Sequence, residues 1–98
     1  MNVTNEGWYN IKNTGDRECQ CGTWKQHWLN FSNVKWPMIC SVEGCLALPI
    51  LGGHVANKNI KGEKIVPICD SCNKEVGIFN LRSEVVLVSA NKSETCGG

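Results

Sequence analysis

The arrangement of the cysteines constrains this chain more than any other feature of its sequence. Seven cysteines occur in 98 residues, and four of them form two close pairs, Cys40-x4-Cys45 and Cys69-x2-Cys72. Zinc takes four tetrahedral ligands, and two such pairs supply two each from tight turns. A domain of this length buries a limited core and often needs a staple such as a metal. The spacing therefore predicts a Zn²⁺ site at these four thiols that holds the fold together.

A disulfide-bonded, secreted domain is the alternative interpretation of the same cysteines. Asn-x-Ser/Thr sequons begin at Asn2, Asn30 and Asn91, and they keep this alternative open. An odd number of cysteines, however, would leave one thiol unpaired in a closed disulfide framework. The spacings are also more typical of metal-binding turns than of disulfide loops.

Three cysteines and both histidines remain outside the two pairs. A second metal site made from Cys19, Cys21, Cys96 and one histidine, His27 or His54, is one use of them. A redox switch is the rival, because a Cys-x-Cys pair beside a third thiol can exchange disulfides. For His27, a place at the edge of a helical core stripe is the third interpretation.

Residues 23–32 are predicted to form a helix. Thr23 is suited to the N-cap, and Gln26 follows it three residues later, which is the spacing of a capping box. Large side chains then recur with the period of one helix face. They are Trp24, His27, Trp28 and Phe31.

The remaining chain predicts short extended segments and one further helix. We expect residues 1–18 to pack loosely against the rest of the domain. The other predicted elements are a β-hairpin within 34–51 that turns near Glu43-Gly44, a turn or close backbone approach at Gly52-Gly53, a strand at 64–68, a short helix from Asp70 to Phe79, and a buried strand at 84–90. The fold class is thus a small α+β, zinc-stabilised single domain over residues 1–98.

Composition narrows the classes of partner and location. The net charge is +1, from ten Lys+Arg against nine Asp+Glu, so the chain lacks the basic footprint of a nucleic-acid binder. A protein partner fits better, with nucleic acid as the alternative, and Trp8 and Trp36 are candidate contact residues. No apolar run is long enough to cross a membrane, and no signal peptide is visible, so we expect a cytoplasmic protein.

The stretch from Cys40 to Lys74 resembles the HNH, or His-Me finger, branch of the treble-clef zinc folds. The segments CSVEGC, GGHV and IVPICDSCNK carry the resemblance. It implies a zinc-bound treble clef, with His54 as the general base of a metal-dependent nuclease and Asn73 at the last motif position. A divalent cation would then stabilise the phosphate charge. Gly53 stands where the family usually has an acidic ligand for that cation.

The wider pattern also resembles a group of small uncharacterised bacterial proteins. It consists of CxCGTWxxHW, the segments above and a closing SETCG. This second resemblance implies one intact domain and no particular activity. We therefore predict a zinc-binding domain that serves as a non-catalytic interaction module, with the nuclease as the alternative function.

Overall fold

A computed structural model of the protein describes residues 5–11 and 21–91, which form an antiparallel sheet with helices beside it. The strands are β1 (Trp8–Asn10), β2 (Leu51–Asn57), β3 (Ile60–Ile68), β4 (Ile78–Phe79) and β5 (Val88–Ser89), and the helices are α1 (Trp24–Ser32) and α2 (Asp70–Asn73). The strand order across the sheet is β4-β1-β2-β3-β5. The α+β class predicted from the sequence is confirmed.

Helix α1 forms where the sequence predicts it. Thr23 has extended backbone angles, and its hydroxyl accepts a hydrogen bond from the Gln26 amide at 3.0 Å. This bond satisfies one of the amides that have no partner inside the first turn of a helix. Asn33 adopts the left-handed conformation, with φ of 62°, and ends the helix.

The β-hairpin lies later in the chain than the sequence indicates. It consists of β2 and β3, whereas residues 34–50 form no strand and contribute an isolated bridge between Val42 and Leu81. The predicted turn at Glu43-Gly44 does form, since the Cys45 amide donates to the Val42 carbonyl at 3.0 Å. The prediction of a hairpin within 34–51 is therefore wrong, although its turn is correct.

Gly52 and Gly53 lie inside strand β2 and make close contacts instead of a turn. A Cβ on Gly52 would lie 2.7 Å from the Trp24 backbone. A Cβ on Gly53 would lie 2.6 Å from Ile68 Cγ2 and 2.9 Å from Asn73 Oδ1. The close backbone approach predicted for this pair is confirmed, and it brings α1 and α2 against opposite faces of β2.

Strand β3 contributes side chains to the core on both faces of the sheet, because successive side chains of a strand alternate between the two faces. Ile65 packs with Trp28 and Val88 under α1. Val66 packs on the opposite face, in a cluster with Trp8, Val55 and Leu81. Ile68, at the end of the strand, contacts the cysteines of a third cluster.

The segment at the amino terminus is more deeply integrated than the sequence indicates. Strand β1 pairs with β2 on one side and with β4 on the other. Trp8 is fully buried, so it cannot present the contact surface expected of it. Trp36 is partly buried against Trp28, and its indole donates to the Pro49 carbonyl at 3.0 Å. Within the described residues 5–11, the loose packing predicted for residues 1–18 is wrong.

The second half of the chain contains shorter elements than the sequence predicts. The strand predicted at 64–68 is confirmed as part of β3. Helix α2 ends at Asn73, and the rest of the predicted helix becomes a turn followed by β4. Gly77 has φ of 117°, which is incompatible with a continuing helix. The predicted strand at 84–90 is reduced to Val88–Ser89, which pairs with β3.

In the described part of the chain, no helix has the length and apolarity needed to cross a membrane.

Candidate metal centre

The two predicted cysteine pairs meet at one end of the sheet. The four sulfurs, from Cys40, Cys45, Cys69 and Cys72, all lie within 4.8 Å of one another. We call this group the four-cysteine cluster. Its side chains are buried or partly buried, and Ile68, Val42 and Leu51 pack against them. Within residues 5–11 and 21–91, no other set of three or more Cys, His, Asp or Glu side chains is close enough to share an ion.

The sulfur spacing fits a tetrahedral ion and excludes a disulfide among these residues. The Cys45 and Cys69 sulfurs lie 3.8 Å apart. Two thiolates at about 2.3 Å from a tetrahedral zinc would have sulfurs about 3.8 Å apart. A disulfide would need about 2.05 Å between the sulfurs, and all described cysteines are free thiols. The structure thus brings the four cysteines predicted as metal ligands together at a spacing that fits an ion.

The first pair of the cluster is held by the turn that separates its two members. Gly44 has φ of 87°, which lets the chain reverse between Cys40 and Cys45. The amide and hydroxyl of Ser41 both donate to the Pro67 carbonyl, and this fastens the turn to strand β3. The proline lacks an amide, but its carbonyl is the group this contact uses.

Arg82 supports the same pair by binding the backbone carbonyls of both cysteines. Its Nε donates to the Cys40 carbonyl at 3.0 Å, and its Nη2 donates to the Cys45 carbonyl at 2.5 Å. The Arg82 amide also donates to the Ser41 carbonyl at 2.8 Å. Sequence reasoning missed this residue, because an arginine far along the chain has no spacing that links it to the cysteines.

The second pair sits on the single turn of helix α2. Cys69 occupies the N-cap, and its sulfur accepts a hydrogen bond from the Cys72 amide at 3.4 Å. The Cys69 amide in turn donates to the Cys40 sulfur, also at 3.4 Å. Amides aimed at sulfur favour the thiolate form that binds a metal. These two bonds also join the pairs to each other.

The thiols of the cluster differ in how readily they ionise without a metal. Burial raises the pKa of the Cys40 thiol. Burial and the neighbouring thiols together raise the pKa of the Cys72 thiol. Burial also acts to raise the pKa of Cys69, but hydrogen bonds from the Cys72 amide and adjacent thiols outweigh it, so the pKa lies below its ordinary value. These directions favour the thiolate at Cys69 over those at Cys40 and Cys72, and a bound cation would compensate the charge of further thiolates.

His54, the candidate general base, lies in β2 under helix α1. It is 4% exposed, and its ring meets Trp24 edge-on with 4.4 Å between the ring centroids. Gly53, the neighbouring position, faces the opposite side of the strand, toward Asn73. Strand β2 therefore has no acidic side chain beside His54, and the contacts at Gly53 leave no room for one.

The residues predicted for a second site are only partly within the described chain. Cys21 and His27 lie close together, with 3.8 Å between Cys21 Sγ and His27 Nδ1. His54 does not join them as a third donor among the described residues. Cys19 and Cys96 lie outside the described residues. No protein-family model, curated protein or solved structure matches this chain.

Proposed function

We propose that this chain is a zinc-stabilised domain that acts as a non-catalytic interaction module for a protein partner. The observation that carries the proposal is the convergence of four thiols within 4.8 Å of one another. Four cysteines at tetrahedral spacing form a closed ligand set with no position left for water or substrate. Such closed sets are typical of structural zinc sites, whereas catalytic sites keep one position open.

The order of the surrounding elements supports a treble-clef-like arrangement. The first cysteine pair lies in a turn, the hairpin β2–β3 follows, and the second pair lies on α2. Zinc is the metal that fits best, because soft thiolates at tetrahedral spacing select zinc over the harder divalent cations.

The metal content and the folding of one variant test the structural part of this proposal. We expect the Cys69→Ser protein to lose zinc and its cooperative melting transition, because the ion supplies folding energy. Ser71→Ala is the matched control, since Ser71 is exposed in the same turn. Elemental analysis and circular dichroism give the two readouts. A Cys69→Ser protein with unchanged melting would show that the ligands are wrong.

Exposed aliphatic side chains follow each cysteine pair along the chain, and they support the interaction role. Leu46, Leu48 and Ile50 follow the first pair and are 79%, 55% and 56% exposed. Val76 and Ile78 follow the second pair and are 72% and 75% exposed. Exposed apolar side chains are a feature of surfaces that contact protein partners. The domain would thus present its apolar contacts on the segments that zinc holds in place.

A pull-down tests the class of partner. The Leu46→Ser/Leu48→Ser double variant should lose a protein that wild type retains after nuclease treatment of the extract. Lys58→Ser/Lys61→Ser, at exposed positions near the hairpin turn, is the matched control and should retain it. Recovery of nucleic acid alone would contradict the proposal.

The nuclease alternative depends on His54 reaching a phosphodiester. The side chain is 4% exposed, and Gly53 supplies no cation ligand, so the geometry favours the non-catalytic role. A nicking assay on supercoiled plasmid with Mg²⁺ or Mn²⁺ separates the two functions. The interaction proposal predicts the same background for wild type and His54→Ala. Nicking by wild type that His54→Ala abolishes would favour the nuclease.

A further inference from the structure

Cys21 and His27 form a pair of potential metal ligands at the opposite end of helix α1 from its C-cap. Cys21 precedes the helix and is partly exposed, whereas His27 lies in its second turn and is fully buried. The Cys21 sulfur and His27 Nδ1 lie 3.8 Å apart. With metal–sulfur and metal–nitrogen bonds of about 2.3 and 2.1 Å, a tetrahedral ion would separate these atoms by about 3.6 Å. The pair therefore already has nearly the separation of two ligands on one ion.

The other ring nitrogen of His27 fixes which nitrogen faces the thiol. His27 Nε2 lies 2.9 Å from the Ser89 carbonyl oxygen in strand β5. A carbonyl can only accept, so Nε2 carries the proton and donates it. In the neutral ring, Nδ1 then holds a lone pair directed at Cys21. Metal-ligating histidines commonly donate their second nitrogen to a carbonyl in this way.

The His27 ring is also held rigidly. Its centroid lies 4.9 Å from that of Trp24 and 5.1 Å from that of Phe31, the neighbouring residues on the same helix face. The core-stripe interpretation of His27 is correct as to its burial. It does not explain why the lone pair of a fully buried ring is aimed at a thiol. A ligand fixed by packing and by a carbonyl loses little freedom when a metal binds.

We propose that Cys21 Sγ and His27 Nδ1 are two ligands of a second zinc site, separate from the four-cysteine cluster. The pair comes from α1 and the turn before it, β5 supplies the carbonyl that orients His27, and neither residue belongs to the group of thiols at the other site. Partial exposure of Cys21 leaves the remaining coordination positions open to further donors.

The stoichiometry of zinc measured by native mass spectrometry tests this site independently of the first. Wild type should carry two zinc ions, and Cys21→Ser should carry one while keeping the melting transition that depends on the four-cysteine cluster. Asn30→Ser, an exposed change on the same helix, is the matched control and should keep two. One ion in wild type, or two ions retained by Cys21→Ser, would overturn the proposal.

A spectroscopic measurement reports on His27 without removing a buried side chain. In the zinc-loaded wild type, the ¹⁵N chemical shift of His27 Nδ1 should be that of a metal-bound nitrogen. In zinc-loaded Cys21→Ser, it should move to the value of an unliganded nitrogen, while Nε2 remains protonated. The same Nδ1 shift in both proteins would show that the pair is a thiol–imidazole contact only. Failure of this test leaves the zinc count at the four-cysteine cluster unchanged, so the two proposals fail separately.

Discussion

Arg82 connects the two cysteines of the first pair through their backbone carbonyls. One planar guanidinium spans both acceptors, which fixes the distance between the ends of the turn and thereby the directions of the two thiols. Lysine has one ammonium group and cannot reproduce this fork. Arg82 is a positioning residue for the candidate metal site, because it binds the backbone carbonyls of the two cysteines and not their sulfurs.

We expect Arg82→Ala to weaken zinc binding roughly 10–100-fold, which is the usual effect of removing a group that orients metal ligands. Arg82→Lys should recover only part of the affinity. Competition with a chromophoric chelator measures the constant. Lys74→Ala is a suitable control, because Lys74 pairs with the exposed Asp70 on the surface of α2. Affinity equal to wild type in Arg82→Ala would show that the turn holds its shape without the guanidinium.

Gly53 allows α2 to approach strand β2. A Cβ there would meet Ile68 Cγ2 at 2.6 Å and Asn73 Oδ1 at 2.9 Å, and both residues lie next to the second cysteine pair. We expect Gly53→Ala to destabilise the fold by about 1–3 kcal/mol, the usual cost of overpacking. Denaturant unfolding of the zinc-loaded protein measures it. Lys61→Ala, at an exposed position in β3, should change the free energy of unfolding little.

At the level of single residues, the sequence predicts functional groups that lie close together along the chain. The cysteine pairs belong to this class, because each pair forms its turn locally. Arg82 differs, since its position depends on the segment after β4 folding back onto distant residues. The pairing of Cys21 with His27 follows from their spacing, but the Ser89 carbonyl that orients the His27 ring comes from the distant strand β5. For His54 the sequence supplies a motif, but only the packing of Trp24 determines how accessible the side chain is.

Among the elements, helix α1 is the most local in origin. Its N-cap bond joins residues three apart, and its buried face follows the helical period. We expect Thr23→Ala to cost about 1 kcal/mol, because the Gln26 amide would lose its acceptor. In a domain of this size, that corresponds to a melting temperature lower by about 4–8 °C. Thr23→Ser should melt close to wild type, and equal melting of the alanine variant would assign no stability to the cap.

The strands are harder to predict than the helix, because tertiary contacts determine which strands pair. Strand β1 has three residues, and its pattern becomes interpretable only when Trp8 is known to lie between β2 and β4. Taken without its neighbours, the Gly52-Gly53 pair indicates a turn. In the structure both glycines lie in β2, where helices α1 and α2 pack too closely for a larger side chain. The hairpin turn after Asn57 instead uses its side chain, whose Oδ1 accepts from the Asn59 amide at 2.9 Å.

At the scale of the whole molecule, one strand joins three clusters. Ile65 belongs to the cluster under α1, Val66 to the cluster around Trp8, and Ile68 to the packing around the cysteines. None of these clusters is large, as expected of a chain of 98 residues. Because β3 contributes a side chain to all three clusters, fixing its carboxyl end should also stabilise the packing on both faces of the sheet.

Removal of zinc should therefore unfold the domain as one unit. We expect amides of β2, β3 and α1 to lose their protection from hydrogen exchange together when a chelator is added, because the strand that anchors all three clusters loses its fixed end. Peptide-level exchange measured by mass spectrometry resolves the segments, and chelator already saturated with zinc is the control. If peptides covering Trp28 and Ile65 stay protected while those covering the four-cysteine cluster exchange freely, the metal stabilises only its own end of the sheet. Loss of protection at the same chelator concentration throughout, in Cys21→Ser as well as in wild type, would instead establish that the four-cysteine cluster holds the whole fold.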